Sequence, residues 1–369
     1  MVDERLDLDE DDQEELVEFS RAERRLVTQS YDLSITTLME QWHDETLQLP
    51  EIQRQYVWDN RRASRLIESL LLNIPIPVVY FAETEDVEYE VIDGHQRIAS
   101  IARYLNNEFG LTGLKVLSEF TRKRYHQLPE REQRQIRTRV IRAIIISADS
   151  NPTMKFEVFE RLNTGSIALN AQEIRNSTHR GTAMETIKLL TLDTSFRGCI
   201  GTKTPRRRMV DNELITRFLA LRSDWRSYRP PLSRFMNDYM TVANGLSTQE
   251  LEILSDMFRR TTSALDHIFG PAAFRLTDPG GKPIDRTVNR ALAEAQLTSF
   301  SWISDGQDIG AAAVQLRKHV ADLHAEETFL DSIQRATGDR KRTRKRISRY
   351  CDALEAAGLK LSERIPSEQ

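Results

Sequence analysis

The chain has 369 residues, 39% hydrophobic and 29% charged, enough apolar material for two domains with their own cores. No run approaches the roughly 18 apolar residues of a membrane span. Two cysteines, Cys199 and Cys351, can make neither a disulfide framework nor a four-cysteine zinc site. The net charge of −4 is uneven: residues 1–20 hold ten acids and one arginine, a balance of −9, so the other 349 carry +5. That acidic leader contains no hydrophobic segment, so no secretory signal is expected and the protein is expected to be cytoplasmic. The leader reads either as a solvated flexible tail, residues 1–22, or as a tail that competes with nucleic acid for a basic surface.

In chain order, Leu33 and Ile35 suggest a short strand, followed by a helix from about Thr36 to His43. Leu47, Leu49 and Ile52 alternate with polar residues as a half-buried strand would. A polar-aromatic loop, Gln53 to Asn60, precedes a helix from about Arg62 to Leu72 with Ala63, Leu66, Ile67, Leu70 and Leu71 at helical spacing. Ile74-Pro75-Ile76-Pro77 ends it. Val78–Phe81 and Val87–Ile92 read as strands, the second running into Asp93-Gly94-His95-Gln96-Arg97 and a helix. A third strand is expected at Val140–Ser147, then a helix from Thr153 to Leu162, a turn at Thr164-Gly165, and a helix capped by Asn170. Beyond about Gly181 the spacing is almost wholly helical, interrupted at Pro279-Gly280-Gly281. The expectation is an α+β domain with a small mixed sheet to about residue 180, followed by an α-helical domain.

Three clusters carry candidate chemistry. A glycine between a strand and a helix permits a tight bend, and the first amides of the helix attract an anion. Arg97 can add a bidentate contact and Asp93 can hold a metal or a ribose hydroxyl, although Asp-Gly before a helix is more often an ordinary turn with Asp93 capping the helix. His95 reads as a general base, a ligand hydrogen-bonding group or a plain turn residue. In the second cluster, Tyr56 and Trp58 beside Gln53-Arg54 either stack a base or close the core. In the third, residues 160–176 hold two arginines, three asparagines, a glutamine and two acids, more than a cap and turn need. A buried polar network or a ligand site explains that excess.

The segments LPEIQRQYVW, RLIESLLLNIPIP, YEVIDGHQRIASI and FERLNTGSIALNAQEIRN occur in this order. Together they resemble the N-terminal domains of GmrSD-type, modification-dependent restriction systems, a branch of the ParB/sulfiredoxin-like fold, over roughly residues 30–190. The resemblance implies a ParB-like nucleotide-binding domain at 23–180 and an α-helical domain at 181–369. It also implies NTP binding and hydrolysis with Mg²⁺, coupled to sensing modified or phage DNA in anti-phage defence. Carried over by position, Asp93, His95, Gln96 and Arg97 are the catalytic candidates, with Asp93 on the metal. Gln53, Arg54, Gly94, Arg97, Arg161 and Asn163 are the nucleotide-binding candidates. The departure is His95, where glutamine is usual; histidine still donates or accepts a hydrogen bond, so the change bears on hydrolysis more than on binding.

Relatives that cut DNA carry an HNH-type nuclease domain or work with a partner that has one. After residue 200 the histidines are His267, His319 and His324, all in helical stretches, so a separate nuclease subunit is the expected partner. Three basic stretches suggest DNA contacts: Arg131, Arg134 and Arg137; Arg206, Arg207 and Arg208 with Lys203; and residues 340–349, including Lys341, Arg342 and Arg344. A solvated basic face paired with the acidic leader is the plainer alternative. Three functions follow: an NTP-hydrolysing, DNA-interacting defence protein; a non-catalytic regulator that binds nucleotide or DNA and recruits a nuclease; and a metal-dependent nickase built on Asp93, Glu160 and Glu173. No membrane contact is expected, and self-association is left open.

Overall fold

The structure is a computed structural model that describes residues 24–48, 56, 58–84, 88–162 and 170–366. The acidic leader, Leu49, Ile52, Gln53, Arg54, Asn163 and the Thr164-Gly165 turn lie outside the described residues. The described chain forms two compact units that divide between Thr178 and His179.

The first unit runs β1 (Thr28–Ser34), α1 (Ile35–His43), β2 (Leu47–Gln48), α2 (Asn60–Leu71), β3 (Val79–Glu83), β4 (Tyr89–Asp93), α3 (His95–Leu105), α4 (Glu130–Thr138), β5 (Val140–Ile146), α5 (Pro152–Leu162) and α6 (Ala171–Thr178). Its mixed five-stranded sheet has the order β1-β5-β3-β4-β2. The β1/β5 and β3/β4 pairs are antiparallel, while β3/β5 and β2/β4 are parallel. Alternation along the strands feeds two faces. Val79, Phe81, Val91, Ile141, Ala143 and Ile145 join a core with α1 to α4. Ala82, Ile92 and Ile146 face the other way and pack with Phe156, Phe159 and Ile174 of α5 and α6.

Ile35 begins α1 instead of extending a strand, because the Ser34 hydroxyl accepts the Thr37 N–H at 3.0 Å and caps the helix. Asp59 does the same for α2, accepting from Arg62 N at 2.7 Å. The buried Glu68 of α2 accepts the backbone N–H groups of Lys115, Val116 and Leu117 at 2.7 to 3.1 Å, pinning that loop. Burial alone would raise its carboxyl pKa, but the three amides hold it below the usual carboxylate range.

The second unit is helical: α7 (Thr182–Leu190), α8 (Thr194–Ile200), α9 (Val210–Asp224), α10 (Leu232–Ala243), α11 (Thr248–Phe269), α12 (Arg290–Phe300), α13 (Ile309–His324), α14 (Glu327–Gln334) and α15 (Arg340–Ala356). Every residue of α12 from Ala291 to Phe300 is buried, which makes it the central helix of this unit. Its polar side chains therefore need internal partners. Glu294 pairs with Arg346 of α15 at 2.6 Å, both side chains fully buried. Gln296 donates to Tyr350 Oη at 2.9 Å and accepts from Phe274 N at 2.8 Å. Tyr350 Oη also lies 2.7 Å from Nε2 of the buried His324, whose pKa burial lowers to about 4.

Candidate functional site

β4 is anchored on both faces by Val91 and Ile92, and it delivers Asp93 to the edge of the core. Gly94 follows with φ 104°, a left-handed conformation that disfavours side chains. A Cβ there would also lie 2.5 Å from Val79 Cγ1, so glycine is required twice over. Helix α3 then starts, held by the buried Ile98, Ile101 and Tyr104. Ile98 N donates to Gly94 O at 3.0 Å, so the amides of residues 95–97 precede the first intrahelical bond, and Gly94 supplies no side-chain cap. The strand, turn and helix expected from the sequence are all present.

Within the turn, Arg97 pairs with Asp93 at 2.5 Å, one helical turn apart, with side chains 12% and 34% exposed. Arg97 also donates to the carbonyls of Pro77 and Val78, the latter at 3.1 Å. The guanidinium thus ties the segment after α2 to the turn, and the ion pair stays partly exposed through Asp93. His95 is buried, and burial lowers its pKa to about 4, so it is neutral at pH 7. Gln96 Oε1 accepts from Trp58 N at 3.2 Å, and its amide nitrogen lies 3.5 Å from His95 Nδ1. His95, Gln96 and the segment carrying Trp58 therefore meet at the start of α3.

Tyr56 and Trp58 do not present free rings. Tyr56 Oη lies 2.9 Å from Ser100 Oγ with the Arg103 guanidinium 4.2 Å from its ring centroid. Arg62 covers Trp58 at 4.6 Å. Trp58 packs against the core of α1 to α4 while Tyr56 is held by Ser100 and Arg103 of α3, which fits the plainer of the two readings of that cluster.

The third cluster is a buried polar network. Asn170 and Glu173 cap α6 reciprocally, with Asn170 N to Glu173 Oε2 at 2.7 Å and Glu173 N to Asn170 Oδ1 at 2.9 Å. The fully buried Arg175 donates to Gln172, which in turn donates to Asn176 at 3.2 Å. Ser177 donates to Glu90 on β4, a buried carboxylate that nothing in the sequence pattern singles out. Arg161, by contrast, is exposed and pairs with Glu157 at 3.3 Å. Among the described residues no group of three or more His, Cys, Asp or Glu could hold a metal ion, and Asp93, Glu160 and Glu173 form no such group.

The basic stretches divide by burial. Arg131, Arg134 and Arg137 are exposed on α4, with Arg134 paired to Glu130. Arg206 turns inward to the buried Asp211 at 2.6 Å, leaving Arg207 exposed. Arg208 takes a left-handed backbone, φ 59°. In α15, Arg346 is inside the core and Arg342 is held by Asp331 at 3.0 Å, so residues 340–349 are not a single phosphate-facing surface. Lys341 remains exposed, and Arg344 lies over the Trp225 ring at 5.1 Å. Lys345, one turn from Lys341, shares its face; the i, i+4 lysine spacing is the signal that could have found it.

No helix among the described residues is long and apolar enough to cross a membrane. No curated protein matches the chain at a significant level. A family model described as GmrSD restriction endonuclease, N-terminal domain, matches residues 35–180, a span that holds the Gly94 turn and the α6 network and stops before α7. Over residues 35–180, about two-fifths of the chain, the protein is therefore similar to the N-terminal domain of GmrSD restriction endonucleases.

Proposed function

We propose that the chain binds a nucleoside triphosphate at the Gly94 turn, hydrolyses it with Mg²⁺, and couples this to DNA in a modification-dependent or anti-phage restriction system. The observation that carries this reading is the start of α3. Three amides precede the first helical bond, Gly94 supplies no side-chain cap, and Arg97 and Asp93 stand beside them.

The Asp93–Arg97 pair is suited to a partner exchange. A Mg²⁺–triphosphate offers the carboxylate a divalent cation and the guanidinium phosphate oxygens. A single carboxylate together with substrate phosphates is an ordinary way to hold Mg²⁺. The ion supplies charge neutralisation on the phosphates; the chain's own residues bind and orient them. His95, neutral with a pKa near 4, is a hydrogen-bonding group and poorly matched to general-base work at pH 7. Gln96 orients the attacking water in exchange for its contact with Trp58 N or His95, so catalysis rests on positioning and electrostatics. Cutting of DNA is assigned to a separate HNH-type nuclease chain.

A second reading, a non-catalytic regulator, is favoured by one observation: Arg97 already has Asp93 and two carbonyls as acceptors. Phosphate release from each of the four NTPs, with Mg²⁺ and with or without plain or modified DNA, separates the two. Turnover lost in Arg97→Ala supports the NTPase. Binding without turnover assigns the regulator, and neither binding nor turnover overturns both.

A further inference from the structure

Helix α15 opens with Arg340, Lys341 and Arg342, and the one acid at its start is the N-cap Asp339, which accepts Arg342 N at 2.9 Å. Cations at the positive end of a helix dipole are unfavourable unless an anion joins them. Asp331 answers Arg342, and Glu326 and Asp352 answer Arg349. Among the described residues no acid pairs with Lys341, Arg344 or Lys345.

These three cations line one groove of about 340 Å³ between α14 and α15. Lys341 and Lys345 are exposed and one helical turn apart, so their charges repel across the same face. Arg344 is fixed against the Trp225 ring, and its buried Nε makes no hydrogen bond. Thr328 of α14 also lines the groove. Walls held by internal ion pairs, with three unanswered cations between them, fit a chain of phosphates better than a single small anion.

We propose that this groove seats the phosphodiester backbone of DNA, with Lys341, Arg344 and Lys345 as its contacts; this rests on the DNA-interacting part of the function proposed above. Contacts of this kind carry no sequence information and act through counterion release.

The test is the affinity of the full chain for a short labelled DNA duplex of arbitrary sequence, measured from about 50 to 200 mM salt. Lys341→Gln/Lys345→Gln should weaken binding about tenfold at low salt and reduce the log–log salt slope by about two. Its thermal melting should match the parent's, since both side chains are exposed. Asp331→Asn, which removes the acid from the groove, should tighten binding about threefold. Arg131→Gln/Arg137→Gln on α4 is the comparison. Binding by the parent that follows the α4 pair and ignores the α15 pair overturns the groove and leaves the DNA reading standing. No duplex binding by the parent overturns both.

Discussion

Arg97 in the α+β unit and Arg346 in the helical unit both lie in stretches that suggest phosphate binding, yet the fold holds them differently. Arg97 is 12% exposed and its partner Asp93 34% exposed, while Arg346 and Glu294 are both fully buried. Arg346 further donates to the carbonyls of Ser332 and Thr337 at 3.1 and 2.8 Å and to Thr343 Oγ1 at 3.0 Å. A pair with a wet edge can trade its partner for a ligand. A fully desolvated pair cannot, because separating it strands a charge in the core. An arginine's role is therefore set less by its motif than by whether its partner is in water.

The comparison breaks most sharply at Arg346→Ala, which should cost about 3–5 kcal/mol in denaturant unfolding by leaving the buried Glu294 with only Arg217, 4.0 Å away, as a counter-charge. A loss near zero would place this pair with the exchangeable ones. Glu68→Ala should cost about 3 kcal/mol, since it leaves three loop amides without their acceptor. That loss should shrink as pH falls through the lowered Glu68 pKa, because the stabilisation exists only while the carboxylate is ionised.

Acid tests both units at once. His95 and His324 each have a pKa lowered by burial to about 4, against 6.5 when exposed. The unfolded chain gains these protons first, so stability falls as pH drops from 6.5 towards 4, by up to about 3 kcal/mol per histidine. His95→Gln should flatten the pH profile of the α+β unit and leave the helical unit's profile unchanged, as read by hydrogen exchange of each. The smallest effect expected is that of Asp93→Asn without nucleotide, about 1 kcal/mol or less for a partly exposed pair. A large loss there would make the pair a structural clamp like Arg346–Glu294.

Local features were legible in the sequence. Strands β3, β4 and β5 and helices α2 and α3 follow from apolar spacing and from breaks at Pro75, Pro77 and Gly94. The Asn170 cap was legible because its partner Glu173 lies three residues on. Most of β1 was not: it is an edge strand with exposed residues from Thr28 to Asp32, so it carries no apolar alternation. The long-range polar partners were equally hidden. Glu294 and Arg346 are 52 residues apart, and Glu68 reaches amides 47 to 49 residues away, distances at which periodicity carries no signal. Within the candidate site, the Asp93–Gly94–Arg97 turn was legible as a motif, but the burial that makes His95 neutral depends on the packed core and was not.

The most direct measurement is hydrogen exchange of the amides at residues 94–98, with and without Mg²⁺ and each NTP. Protection concentrated at the start of α3 when a nucleotide is added is the predicted result. Unchanged exchange there, at nucleotide concentrations that bind elsewhere or not at all, would contradict the assignment of this turn as the nucleotide site.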